Sequence, residues 1–130
     1  MKRPPIELTP MIAVRDVERS SAWYQSLIGC TSDHGGAEFD RLMDGTRTLL
    51  LLHRWGAPEH AALREGEPGP TGNGLILWFQ VDDLDAVWAR AQALGARLVD
   101  PPQLNAEAGH REFSVSDPDG YVVAVCAITG

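Results

Sequence analysis

The sequence lacks several features that would place a protein in a class at once. Its two cysteines, Cys30 and Cys126, form no CxxC pattern, so we expect reduced thiols that pack as small apolar side chains; a disulfide is the alternative. No apolar run approaches the roughly 20 residues that span a membrane, and the start of the chain has no signal-peptide stretch. We therefore predict a cytoplasmic protein without a membrane segment.

Basic residues are also scarce. The 130 residues include 11 Lys and Arg against 18 Asp and Glu, which gives a net charge of -7. Nucleic-acid binding depends on clustered basic side chains that displace counterions, so this balance argues against a nucleic-acid partner. Apolar residues, by contrast, make up 44% of the chain. That content is enough to fill the core of one domain, or of two small halves that share a core.

The clearest local pattern is a hairpin over residues 112–125. Two runs that favour β-strands flank the sequence Asp-Pro-Asp-Gly, in which Pro118 presets a turn and Gly120 supplies the left-handed conformation that closes it. Residues 39–52 repeat this outline of strand, turn and strand, with Gly45 in the turn. The repetition indicates a duplicated module.

The same duplication is visible in two predicted helices. Asp16 is a suitable N-cap before an amphipathic run, and Gly29 follows the last apolar residues of that run. Asp83 and Gly95 bracket a second run in the same way. Together with the repeated hairpin, these matched ends predict the order β-α-β-β-β in each half.

The chain is therefore predicted to be a single domain, residues 1–130, made of two modules. We place the modules at about 6–56 and 74–128 and the connector at 57–73, where Gly and Pro are too frequent for a long helix. A short helix at 58–64 is compatible with that composition. The remaining predictions are strands at 6–14, 75–81 and 97–99, and loops at 31–36 and around Pro101 and Pro102.

Four segments, taken in order, carry a family resemblance. They are Val14-Arg15-Asp16-Val17-Glu18-Arg19-Ser20 leading to Trp23-Tyr24, Val81-Asp82-Asp83-Leu84-Asp85-Ala86, Leu94-Gly95-Ala96 and Asp117-Pro118-Asp119-Gly120-Tyr121. In this order and spacing the sequence resembles the vicinal oxygen chelate superfamily, which includes glyoxalase I, extradiol dioxygenases and bleomycin-resistance proteins. The resemblance implies an α+β fold in which two βαβββ modules form a half-open curled sheet around a barrel-like cavity. It also implies a homodimer.

The metal-dependent members of that superfamily hold a divalent ion with His or Glu residues on the first and last strands of each module, and here the sequence departs from them. Counting from the helix N-caps, the first-strand positions fall on Thr9 and Ile76; counting from the turns, the carboxylate positions fall on Leu49 and Ala124. None of the four offers an imidazole or a carboxylate. We therefore predict no metal at these positions and no cofactor.

This departure favours the bleomycin-resistance-like branch, whose members bind a drug or another organic molecule in an apolar groove. We predict metal-independent binding of a small apolar or aromatic molecule by burial and stacking, a resistance or sequestration function. Because side chains alternate along a strand, residues two or four positions from the metal positions share their face; core packing is the alternative for each of them. The predicted ligand-binding residues are Met11, Leu51, His53, Trp55 (if its strand continues), Trp78, Glu112 and Val122.

Catalysis is the competing interpretation, and its weak candidates are His53, His110 and Glu112. They could form a displaced divalent-metal site of a lyase or dioxygenase, or Glu112 could act as a general base beside a histidine in an apolar cavity. Alternatively, His53 is a hydrogen-bonded strand residue and Glu112 pairs with Arg111, Arg47 or Arg54. Glu59 and His60 are predicted to lie on a solvated helix face. A third hypothesis is a dimerising module without a ligand.

Overall fold

The computed structural model describes residues 3–56, 58–64, 72–106 and 109–128 of the chain. Neither α-helix within these residues is long and apolar enough to cross a membrane. In chain order the elements are β1 (Met11–Val14), α1 (Val17–Ile28), β2 (Thr31–Ser32), β3 (Phe39–Asp44), β4 (Arg47–Arg54), a 3₁₀ turn (Ala61–Leu63), β5 (Ile76–Gln80), α2 (Leu84–Ala93), β6 (Arg97–Asn105), β7 (His110–Ser116) and β8 (Val122–Ile128).

Two four-stranded sheets repeat one topology. The first has the strand order β1-β4-β3-β2 and the second the order β5-β8-β7-β6. In each sheet the first strand of the module pairs in parallel with the last, and the other neighbours are antiparallel. An α-helix follows the first strand in both cases. The predicted α+β class with two βαβββ modules is confirmed.

Contacts group the chain into two units. We call Met1–Ser21 with Cys30–Glu65 the first unit, and Ala22–Gly29 with Gly66–Gly130 the second unit. The first unit contains the sheet of β1 to β4, and the second contains the sheet of β5 to β8. The boundary falls within α1, so the C-terminal part of that helix belongs to the second unit.

Both α-helices begin at an aspartate and end before a glycine, as the sequence predicts. Asp16 and Asp83 each accept, through Oδ1, a hydrogen bond of 3.0 Å from the backbone N–H three residues later. This satisfies one of the donors that the first helical turn leaves without a partner. Gly29 and Gly95 have φ angles of 86° and 64°, a conformation that favours glycine and ends the helix.

One face of each sheet is the hydrophobic core, because side chains alternate along the strands. In the second unit this face packs against α2, where the ring of Trp88 meets the ring of Phe113 edge-on at 5.1 Å. Removal of these side chains from water is the main stabilising contribution. The buried apolar residues of this face are Ile12, Val14, Leu42, Leu50 and Leu52 on the first sheet, and Leu77, Phe113, Val115, Val123 and Val125 on the second.

A buried carboxylate organises the loop of the first unit. Asp40 on β3 is 2% exposed and accepts hydrogen bonds from the hydroxyls of Ser21 and Ser32 and from the backbone N–H groups of Gly35 and Arg41. Burial alone raises the pKa of Asp40, but these hydrogen bonds favour the carboxylate more strongly and hold the pKa below its ordinary value. The loop between β2 and β3 is thereby fixed to the sheet.

A second buried carboxylate organises the β7–β8 hairpin. Asp117 is 5% exposed, and its Oδ1 accepts the N–H groups of Asp119 and Tyr121 at 2.8 and 2.9 Å. Its Oδ2 accepts the hydroxyl of Tyr24 at 2.6 Å. Burial raises the pKa of Asp117, and the hydrogen bonds only partly oppose this effect. The predicted hairpin is confirmed, and a buried side chain as well as the turn sequence stabilises it.

Some predicted boundaries are wrong. β1 begins only at Met11, and residues 6–10 have no regular structure. Thr31–Ser32 form a short strand instead of opening a loop. The segment 58–64 contains only a 3₁₀ turn, and the rest of the predicted connector lies largely outside the described residues, at 57 and 65–71.

The longest departure from prediction is in β6, which continues through Pro101 and Pro102 although the sequence predicts a loop there. β6 is the edge strand of the second sheet and pairs with β7. The pairing register shifts between Leu98 and Asp100, and again between Asp100 and Gln103. Proline cannot donate to a strand ladder, but an edge strand with irregular pairing tolerates the missing N–H.

Candidate functional site

A cavity of about 320 Å³ lies on the second sheet, mainly among the residues that alternate with the core. Its volume is at the small end of the range for pockets that hold organic ligands, roughly 300–1,000 Å³. Residues of four strands contribute to it. The lining residues are Ile76, Trp78, Val99, Asp100, Gln103, Glu112, Phe113, Ser114, Val122 and Ala124.

The floor of the cavity is apolar and accessible. Strand pairing places Ile76 beside Val122 and Trp78 beside Ala124, and Ser114 follows on the next strand. The two largest of these side chains, Ile76 and Trp78, are 57% and 52% exposed. Large apolar side chains that are adjacent and half exposed are typical of a surface that binds another molecule.

The charged residues that line the cavity are acidic. Glu112 lies with Oε2 at 2.8 Å from Nε2 of His110, and Asp100 accepts the hydroxyl of Ser114 at 3.0 Å. The His110 ring also meets the ring of Trp78 edge-on at 5.4 Å. No lysine or arginine is among the lining residues of this cavity. Its polar side therefore favours N–H donors and positive charge.

Neither cysteine is prepared for nucleophilic chemistry. Burial raises the pKa of Cys30 to about 11. Burial also raises the pKa of Cys126, and the negative charge of Glu112 adds to this effect while a hydrogen bond with Trp78 opposes it. The thiolate is the reactive form of cysteine, so these conditions disfavour reaction. The prediction of two free thiols in apolar surroundings is confirmed.

The predicted ligand-binding residues fall into two groups. Trp78, Glu112 and Val122 line the cavity of the second unit. Met11 and Leu51 lie opposite each other in the first sheet, where both are half-buried. Their role in binding stays a prediction.

Trp55 does not continue the face of β4. The strand ends at Arg54, and Trp55 lies in the turn that follows, where its backbone N–H donates to the carbonyl of Val14 at 3.3 Å. Trp55 was predicted to line the cavity only if its strand continued, and the strand ends one residue before it.

His53 lies at the end of β4 and is 6% exposed. Its Nδ1 is 2.9 Å from the carbonyl oxygen of Arg54, and its Nε2 is 3.0 Å from Oε1 of Glu59. Because a carbonyl oxygen can only accept, Nδ1 carries a proton. The ring of His60 is edge-on to His53 at 5.7 Å. One ligand atom from each of His53, Glu59 and His60 lies within 4.8 Å of the others.

Glu59 and His60 are the site residues that sequence reasoning missed. They lie just before the 3₁₀ turn, in a loop closed by a 2.7 Å hydrogen bond from the N–H of Gly56 to the carbonyl of Leu63. A backbone hydrogen bond and the hydrogen bond with His53 lower the pKa of Glu59, which favours its carboxylate form. The sequence signal for this cluster is the spacing His53-x₅-Glu59-His60. It indicates a cluster only if the loop after β4 brings Glu59 and His60 back toward His53.

The three catalytic candidates are divided between the units. His110 and Glu112 form a pair in the second unit, whereas His53 is grouped with Glu59 and His60 in the first. Two arginines considered as partners of Glu112 contact other carboxylates. Arg111 pairs with Asp85 at 3.1 Å, and Arg54 pairs with Glu38 at 3.3 Å.

The residues at the metal positions of the superfamily do not fit a metal ion. Ile76 and Ala124 line the cavity, and neither side chain has a donor atom. Leu49 has none either, and Thr9 offers only a neutral hydroxyl. Divalent ions require several N or O ligands at one point, which these four side chains do not supply.

Strand pairing also changes which residues correspond between the modules. Met11 and Trp78 both lie five residues before their helix N-caps, and they pair with Leu51 and Ala124 respectively. Leu51 rather than Leu49 therefore corresponds to Ala124. The register shift at Leu42/Met43 and the shorter turn of the first hairpin account for the difference. Leucine at either position lacks a donor atom.

Comparison with known proteins gives a family match over most of the chain. The family model described as the Glyoxalase/Bleomycin resistance protein/Dioxygenase superfamily matches residues 8–125. No curated protein matches the sequence.

Solved structures share the fold at low sequence identity. A protein of unknown function from Agrobacterium tumefaciens str. C58 superposes with a TM-score of 0.78 at 24% identity, covering 98% of both chains. A glyoxalase/bleomycin resistance protein/dioxygenase family enzyme from Burkholderia phytofirmans PsJN gives 0.76 at 23% identity, covering 93% of this chain and 97% of that one. TioX from Micromonospora sp. ML1 gives 0.74 at 21% identity, covering 96% and 100%.

Proposed function

Since this chain belongs to the glyoxalase/bleomycin resistance protein/dioxygenase superfamily, we propose that it binds a small apolar or aromatic organic molecule in the cavity of the second unit, without a metal ion. The observation that carries the proposal is the half-exposed pair Ile76 and Trp78 on the floor of that cavity. A flat ligand would remove both side chains from water and stack on the indole. The function is sequestration, in which no bond is made or broken.

The polar groups of the cavity narrow the ligand class. Asp100 and Glu112 are the carboxylates of the lining, which contains no lysine or arginine, and Glu112 also pairs with His110. A cationic or N–H donor substituent would be attracted to these carboxylates and to the face of Trp78. The preferred ligand is therefore an aromatic molecule with an amine.

A matched set of naphthalene compounds tests both parts of the proposal. We would measure binding of 2-naphthylmethylamine, 2-naphthylmethanol and 2-naphthoate to chelator-treated protein by calorimetry and by the shift in melting temperature. The expected order of affinity is amine, alcohol, carboxylate. Trp78→Ala is expected to weaken the binding of the amine by about tenfold or more, because its stacking on the indole is lost. Leu104→Ala is the control, because Leu104 is exposed on β6 and does not line the cavity.

Two results would overturn the proposal. One is that none of the three compounds shifts the melting temperature. The other is that Trp78→Ala and Leu104→Ala bind them equally well. If Trp78→Ala instead converts a dimer to a monomer in light scattering while no ligand binds, the exposed floor is a dimer interface and the chain is a dimerising module.

Acid–base catalysis is a second candidate function, supported by Glu112, which lines the cavity and lies 2.8 Å from His110. A carboxylate beside an imidazole can accept a proton from a bound molecule. Incubation of each bound compound with the protein, followed by mass spectrometry, would reveal a product that Glu112→Gln abolishes. Binding without any product would leave sequestration as the function.

A further inference from the structure

We propose that His53, Glu59 and His60 form a binding site for a divalent transition-metal ion in the first unit. The site is separate from the metal positions of the superfamily, whose residues lack the required donors. It is also independent of the ligand-binding function proposed for the second unit. The carrying observation is the convergence of two imidazole nitrogens and one carboxylate oxygen within 4.8 Å.

His53 is oriented as a metal-bound histidine is. Its Nδ1–H donates to the carbonyl of Arg54 at 2.9 Å, which fixes the orientation of the ring and directs Nε2 toward Glu59. A hydrogen bond of this kind behind the ring is nearly universal for histidine ligands. Nε2 faces Glu59 Oε1 at 3.0 Å, where a proton shared between the two groups would be displaced by the ion.

The loop that carries the other two ligands is held against β4. The hydrogen bond from Gly56 to Leu63, and a second one of 3.0 Å from the N–H of Leu63 to the carbonyl of His60, hold the described residues 58–63 close to the end of β4. Glu59 and His60 are thereby kept near the buried His53, although both are exposed. The ion would enter from the solvent side, and small side-chain rotations would bring the three atoms to bonding distance.

The ligand set indicates which ions the site prefers. Two imidazoles and one carboxylate suit Zn²⁺, Co²⁺, Ni²⁺ and Cu²⁺, whereas Mg²⁺ and Ca²⁺ prefer oxygen ligands throughout. Three protein ligands leave at least one coordination position for water. The site would therefore hold an ion with an open position facing solvent.

The experiment uses chelator-treated protein without an affinity tag. Zn²⁺ is titrated by calorimetry, and Co²⁺ is titrated by visible absorption, which reports its coordination directly. We expect about one ion per chain, as one cluster of ligands implies. Loss of an outer partner of a metal ligand already weakens binding by roughly 10- to 100-fold, so Glu59→Gln and His60→Ala, which remove ligands, should each weaken it at least as much. Both residues are exposed, so these variants are expected to fold.

Two matched controls remove histidines elsewhere. His34→Ala deletes an exposed histidine of the first unit, and His110→Ala breaks the His–Glu pair of the second. Both should bind Zn²⁺ as the unsubstituted chain does. The proposal is overturned if no Zn²⁺ binds, if Glu59→Gln and His60→Ala bind it normally, or if His110→Ala removes the binding.

Discussion

The two units share a strand order and a pattern of helix caps, yet they bury their carboxylates under opposite electrostatic conditions. Asp40 is surrounded by donors from two hydroxyls and two backbone groups, and its pKa is lowered. Asp117 accepts fewer donors and lies near the negative charge of Asp119, and its pKa is raised. Burial raises the pKa in both cases, so the balance between burial, hydrogen-bond donors and neighbouring charge decides which charge state the fold prefers.

The two sheets also differ in how exposed the side chains are on the face that points away from the core. On the first sheet Met11 and Leu51 are half-buried, and Ala13 and His53 are buried. On the second sheet the corresponding face contains the cavity, with Ile76 and Trp78 half exposed on its floor. The same strand order therefore does not produce the same surface. The helix caps and turns fix the backbone, and the side chains at other positions differ between the two units.

The largest expected difference between the units follows replacement of each carboxylate by its amide. At pH 7, Asp40→Asn should lower the free energy of unfolding by about 2–3 kcal/mol, because charge-assisted hydrogen bonds from Ser21 and Ser32 are lost. Asp117→Asn should cost less, about 1–2 kcal/mol, since the amide oxygen still accepts both backbone N–H groups and only the hydroxyl of Tyr24 loses its acceptor. Urea denaturation of both variants measures the difference.

Asp85→Asn is the control for that comparison. Asp85 is exposed and pairs with Arg111 on the surface, so its loss should change stability by less than about 1 kcal/mol. Equal costs for Asp40→Asn and Asp117→Asn would show that the donor count does not distinguish the two sites.

A smaller effect is expected in the pH dependence of the same variants. The folded pKa of Asp40 lies below the value of about 3.9 for an unfolded aspartate, so its stabilisation is present above that pH and is lost as the pH falls through the folded pKa. The folded pKa of Asp117 is raised, so its contribution is present in acid and is lost as the pH rises through the folded pKa.

We would measure the free energy of unfolding between about pH 3 and pH 7. Relative to the unsubstituted chain, its dependence on pH should have opposite signs for the two variants. The deficit of Asp40→Asn should shrink toward acid. Asp117→Asn should gain stability relative to the unsubstituted chain as the pH rises. Parallel curves for the two variants would rule out the opposite charge preferences.

The smallest expected difference concerns the hairpin turns. An added Cβ would meet nothing within 4 Å at Gly45 or at Gly120, so backbone conformation alone decides the cost. Gly45 has a φ of 57°, close to the centre of the left-handed region, whereas Gly120 has a φ of 100°, farther from that centre. Gly45→Ala should cost about 1 kcal/mol and Gly120→Ala about 2 kcal/mol. Thermal denaturation should show the larger loss for Gly120→Ala, and the reverse order would contradict the argument.

The parts of the fold that sequence could predict are those fixed by neighbouring residues. The capping side chains Asp16 and Asp83 act on backbone groups three residues away, and Gly45 and Gly120 act within their own turns. These short-range requirements are written in the sequence at constant spacing. The order of elements followed from them, and the family resemblance followed from the order.

Features that depend on distant parts of the chain were missed or misplaced. The correspondence of Leu51 with Ala124 depends on pairing between separate strands and on a register shift, which counting from a turn does not reveal. The approach of Glu59 and His60 to His53 depends on the path of a loop. Trp78 and Val122 could be predicted to share a face because alternation along a strand is a local property. The size of the cavity beside them depends on distant residues and could not be predicted.

The prolines of β6 affect how the protein behaves among its own copies at high concentration. An edge strand with a full row of free N–H and C=O groups is a template on which another chain can add a strand and begin a fibril. Pro101 and Pro102 remove two donors from the outermost strand of the second sheet, and the register shifts beside them interrupt its regular ladder. Another chain therefore cannot readily add a strand to this edge, which makes the edge a poor starting point for aggregation.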